Sequence, residues 1–143
     1  MKKTHWGITL LLLCGLGQAL AFPGEIEVVK EACWKDYDVQ IKVIDGRTSN
    51  VLYTLDLPKG KERASLKTEI SPRQEFYFRA TYSPVFWESD KNKTYLGKKY
   101  ISAPAALSST EHRWSMFLCF GRDFKSIPLP PKTDGHCPCP AHQ

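Results

Sequence analysis

Apolar and polar residues alternate along most of the chain from residue 25 to residue 120. Between Tyr37 and Ile44, Tyr37, Val39, Ile41 and Val43 point one way and Asp38, Gln40 and Lys42 the other, the period of a strand with one buried face. Asp45-Gly46 signals a turn, and a second strand follows over 51–57, with Val51, Tyr53, Leu55 and Leu57 sharing a face. Pro58-Lys59-Gly60 ends it, because proline has no amide to give a ladder. Ala64, Leu66, Thr68 and Ile70 predict a third strand, and Phe76, Phe78, Ala80 and Tyr82 a fourth. Segments 94–102 and 113–120 complete the later half, and Ile26 and Val28 suggest an opening strand over 25–29.

Nowhere do apolar residues recur at three and four over a helical length; 103–110 has room for one helical turn, with Pro104 suited to its first position. About seven short strands separated by turn signals predict an all-β, antiparallel β-sandwich. In architecture this resembles the immunoglobulin-like and transthyretin-like sandwiches, a likeness that implies no function. From Ser126 the periodicity stops. Ile127-Pro128-Leu129-Pro130-Pro131 must be extended, and the chain then reads His136-Cys137-Pro138-Cys139-Pro140-Ala141-His142-Gln143. The expected organisation is a leader over 1–21, a sandwich over 22–125, and a Pro/Cys-rich tail over 126–143 that crosses or projects from the body and is dispensable to its fold.

The leader carries the compartment. Lys2 and Lys3 precede an apolar run from Ile8 to Leu16, and Ala19-Leu20-Ala21 forms a small-x-small cleavage site, the layout of a secretory signal. The run is about half the ~20 apolar residues that span a bilayer, so cleavage is expected in place of a retained transmembrane segment. Leu11-Leu12-Leu13-Cys14 loosely suggests lipid attachment, but Leu13 is not the small residue such sites want. A secreted or periplasmic protein beginning at Phe22 follows, and the Lys-Lys start fits a bacterial source. Without Lys2 and Lys3 the 20 basic residues become 18 against 15 acidic ones, and the formal charge falls from +5 to +3. That total is too small to suggest a nucleic-acid partner.

Cys33, Cys119, Cys137 and Cys139 remain after cleavage, an even number that suggests two disulfides with three possible connectivities. A Cys33–Cys119 bridge, joining the ends of the strand-rich body, is the pairing expected. In the tail, His136, Cys137, Cys139 and His142 could instead hold a soft metal or exchange thiols. Cys-x-Cys is tighter than structural zinc spacing, and Pro138 and Pro140 stiffen it, so disulfides are the first reading and no metal or other cofactor is expected.

One stretch invites a binding role. Phe86 and Trp87 follow the clearest strand, with Lys91, Lys93, Lys98 and Lys99 nearby and Tyr95 and Tyr100 between them. Aromatics beside lysines can anchor a protein at anionic lipid headgroups or stack on an acidic glycan, and the same face could meet another protein. The bland alternative is that the aromatics complete the core while the lysines blunt a sheet edge. Asn92-Lys93-Thr94 is a glycosylation sequon in the same stretch. There is no Gly-x-Ser-x-Gly elbow, no His-Glu-x-x-His and no phosphate-cradling loop. The expected function is therefore a small non-enzymatic binding protein, with metal or thiol-redox chemistry in the tail as the alternative.

Overall fold

A computed structural model describes residues 20–143, so the leader expectations for residues 1–19, Cys14 among them, lie outside the described residues. Among the described residues, eight strands form two sheets: β1 (Phe22–Lys30), β2 (Asp38–Asp45), β3 (Val51–Leu57), β4 (Arg63–Ile70), β5 (Glu75–Ser83), β6 (Tyr95–Leu96), β7 (Ile101–Ser102) and β8 (Trp114–Phe120). One sheet has three strands in the order β4-β1-β8; the other has five, in the order β3-β2-β5-β6 with β7 also on β5. The all-β sandwich is as the alternation predicts. One pairing departs from the antiparallel expectation: β1 and β8 run parallel, Gly24 opposite Trp114 and Lys30 opposite Phe120.

The period-2 pattern works as the physics requires. Ile26 and Val28 of β1, Ile41 and Val43 of β2, Phe76 and Phe78 of β5, and Met116 and Leu118 of β8 meet between the sheets in one buried core. At the Ser83/Pro84 end of β5 that core is aromatic: Trp34 lies against Tyr82 at 4.6 Å and Phe120 at 4.9 Å between ring centroids. Three sequence expectations shift locally. The register slips between Val43 and Ile44, and Val51 pairs with Ile44 and is 52% exposed, off the face predicted for it. Segment 94–102 is two short strands separated by Gly97, which donates to the Phe78 carbonyl of β5 at 2.8 Å and also bridges Phe124, and by the bend at Lys98. Segment 103–110 forms no helix.

The expected Cys33–Cys119 bridge is not formed. Cys119 stands opposite Val29 on the outward side of the three-stranded sheet, whereas β1 ends at Lys30 and Cys33 lies beyond it, in the turn Ala32–Trp34. The returning tail meets both thiols instead: Cys33 bonds Cys137 and Cys119 bonds Cys139, with Cα separations of 5.2 and 6.2 Å.

The tail accordingly lies across the three-stranded sheet. Ala32 N–H donates to the Pro138 carbonyl at 2.9 Å, and Arg63 donates to the Ala141 carbonyl at 3.1 Å. Under it lies Glu27, on the outward side of β1 yet only 4% exposed. Its carboxylate is held by Arg63, by His142 Nε2 at 3.1 Å and by the Gln143 amide at 3.4 Å. A buried carboxylate needs such partners. Val29 and Cys119 are sealed beneath the same strap.

Candidate functional site

The loop between β5 and β6 carries the predicted aromatic-basic stretch, and it divides those residues. Phe86 turns inward, its ring 5.7 Å from Trp34 in a stacked arrangement, 5.3 Å from Tyr37 and 5.2 Å from Tyr82. Trp87 next to it turns outward and is 69% exposed. The inward residue thus fixes the root from which the outward one projects. Glu88–Asp90 then form a 3₁₀ turn.

The lysines separate into two pairs. Lys91 lies 3.8 Å from Glu88 and Lys93 3.8 Å from Asp90, so this turn carries as many carboxylates as ammonium groups. Exposed pairs of this kind contribute little to stability, ~0–1 kcal/mol, but they cancel the local field. Lys93 also stands 5.4 Å over the Tyr95 ring. Lys98 and Lys99 lie farther along, both exposed, where the Lys98 amide donates to the Asp123 carbonyl at 2.8 Å. They make no ion pair among the described residues, although Lys98 lies close enough to the half-buried Glu31 to act on it. Burial raises the Glu31 pKa, with Arg122 and Lys98 opposing.

Beside the loop runs a trough of about 770 Å³ that sequence reasoning did not anticipate. Asp38, Gln40 and Asp56 line it together with Thr81 and Tyr82 of β5 and, from the loop, Pro84, Val85, Glu88 and Asp90 to Lys93. The Tyr82 and Tyr95 hydroxyls are buried without a hydrogen-bond partner among the described residues. Burial raises the Tyr82 phenol well above its ordinary pKa, with the neighbouring Tyr95 adding to the shift. Alternation placed Asp38, Gln40 and Thr81 on outward strand faces; what it could not supply was the register that sets Gln40 opposite both Thr81 and Asp56.

Cys137 and Cys139 are both in disulfides, leaving His136 and His142 without thiolate neighbours, and no cluster of three or more metal-ligating side chains occurs among the described residues. Two disulfides fit a protein that folds outside the cytoplasm, and no helix among the described residues is long and apolar enough to cross a membrane. No family model, no curated protein and no solved structure matches the chain.

Proposed function

We propose that this is a non-enzymatic binding protein of the secreted or periplasmic space, which meets anionic lipid headgroups or an acidic glycan through the loop that presents Trp87. The observation that carries the reading is Trp87 itself: a 69%-exposed indole beside a core-anchored Phe86. Large aromatics held rigidly at a surface contribute contact area at little entropic cost, which is why they dominate binding hot spots. Covering an indole of 150–250 Å² at about 25 cal/mol per Å² is worth at most ~4–6 kcal/mol. Lys98 and Lys99 add ~1 kcal/mol each near an anionic surface. Lys91 and Lys93 add less, because Glu88 and Asp90 accompany them. Contact area therefore outweighs charge, and weak binding with modest salt dependence follows.

The test is co-sedimentation with phosphatidylserine–phosphatidylcholine vesicles, alongside titration with acidic oligosaccharides. Trp87→Ala is expected to weaken binding tenfold or more, and Lys98→Glu with Lys99→Glu to weaken it less while flattening its salt dependence. Native-like binding by the Trp87→Ala protein overturns the reading.

A further inference from the structure

The outward face of the five-stranded sheet carries a feature that the Trp87 loop does not use. Lys42 of β2 and Arg79 of β5 stand directly opposite one another in the register. Cross-strand neighbours on one face have Cβ atoms about 4.5–5.5 Å apart, and like charges placed there repel. The same row continues to Thr54 on one side and Leu96 on the other, so no carboxylate completes it. Asp56, in the next row, accepts a hydrogen bond from Gln40 at 3.0 Å. Neither Lys42 nor Arg79 forms an ion pair among the described residues. Two facing cations without a counter-charge are a cost to the folded sheet that an anion in the gap would remove.

The surroundings indicate which anion. A pocket of about 160 Å³ is lined by both cations together with the hydroxyl-bearing Ser49, Thr81 and Thr94. Ile44 and Val51 give it an apolar side. Tyr77 flanks it, its ring 5.9 Å from the Arg79 guanidinium and 5.6 Å from the exposed Tyr100 ring. Cations, hydroxyls and aromatic faces in one small recess are the donor set for a carboxylated sugar: the charge meets the cations, ring hydroxyls meet Ser49 and the threonines, and the pyranose lies on a tyrosine. A bilayer surface cannot enter a recess of this size.

The recess also adjoins the trough, which shares Gln40 and Thr81 with it. The trough is lined by Asp38 and Asp56 and by Glu88 and Asp90, the last two paired with Lys91 and Lys93. Asp38 and Asp56, in no ion pair among the described residues, disfavour a densely charged polyanion there, so the groove suits a chain with an isolated negative charge and neutral neighbours. We infer that Lys42 and Arg79 form the anion subsite of a saccharide groove running along β2 and β5, and that its ligand is a sparsely charged acidic oligosaccharide. The inference rests on the reading of this protein as a binding module and narrows its ligand.

The test is calorimetric titration of the disulfide-intact protein with sialyllactose, which bears one carboxylate, against neutral lactose. Sialyllactose is expected to bind at least tenfold more tightly, and Lys42→Gln with Arg79→Gln to reduce it to the lactose level. Because that double substitution removes a repulsion, its melting temperature should equal or exceed the native value. Amide chemical shifts of the native protein give a readout that needs no variant: perturbation by sialyllactose should centre on Lys42, Tyr77 and Arg79. Equal binding of the two sugars, native-like binding by the double variant, or shifts confined to other regions overturns the subsite. So does binding of phosphatidylserine vesicles through Lys42 and Arg79 without binding of the sugar. Sialyllactose binding that is lost in Trp87→Ala but unaffected by the double substitution defeats the subsite and leaves the wider reading standing. Failure of every anionic probe to bind at low salt defeats both.

Discussion

Lys30 is the residue whose role was least visible before the fold was known. It closes β1 on the inward side, is 1% exposed, and donates to the carbonyls of Tyr37 at 2.7 Å, Pro58 at 3.0 Å and Leu57 at 3.1 Å. A lysine at the end of an alternating strand reads as solvent-facing, and only the approach of three carbonyls from two other segments explains its burial. Replacing it by methionine keeps the volume and recovers the ammonium's desolvation, and although the Pro58 carbonyl keeps the Lys61 amide at 2.9 Å, it takes the ammonium away from the carbonyls of Tyr37 and Leu57. Each such acceptor costs about 1–3 kcal/mol. Lys30→Met is therefore expected to lower stability by about 2 kcal/mol, read as a shift in urea midpoint. Burial also depresses the Lys30 pKa, against the pull of Asp38, Asp36 and Glu62. The folded state then loses its proton before the unfolded one does. Stability from this group rises with pH up to the ordinary lysine value of 10.5, so the gap between native protein and Lys30→Met should widen across that window.

At the scale of elements, five of the strands could be read within one or two residues of their observed limits, because each has one buried face and a Pro or Gly boundary. The failures share a cause. Val51 left its expected face through a register slip, segment 94–102 broke where Gly97 met Phe124, and the parallel β1–β8 pair involves partners 90 residues apart, as between Gly24 and Trp114. Each depends on a pairing partner that local alternation does not encode. The same limit governs the candidate site. Trp87 and the lysines could be named from the sequence, but the inward turn of Phe86 and the facing of Lys42 with Arg79 needed the register. Gly121 shows how tightly one junction is made. It follows β8 with φ of 110°, and a Cβ there would overlap the Glu31 carboxyl group. Gly121→Ala is expected to destabilise by about 1–3 kcal/mol through strain and overlap together, measured by thermal melting; an unchanged melt would mean that the junction yields freely.

For the whole molecule, the tail takes one of the two courses expected of it, across the body, and is bound there. It covers Glu27, Val29 and Cys119 and is bonded to the body at two points. In the chain-entropy account, separations of 104 and 20 residues are worth about 5 and about 3 kcal/mol taken singly, and less than their sum together because the loops overlap. Cys137→Ser with Cys139→Ser should thus lower stability by several kcal/mol, as should full reduction. Removing residues 126–143 should cost more, since Glu27 then loses His142 and the Gln143 amide as partners. A reduced or truncated protein that melts like the native one would return the tail to the status of an accessory arm.

The Cys33–Cys137 bond has a consequence for breakage. Any single cut in the backbone between those positions leaves one cysteine of the pair on each fragment. A protease that nicks the exposed turn at Ser109 and Thr110, for example, gains a new pair of chain ends but releases nothing. Limited digestion should give one band on a non-reducing gel, heavier than the intact protein by a single water, and two bands once thiol reductant is added. Two fragments without reductant would mean that the bridge is not there. A chain closed in this way can be cut and still remain one molecule.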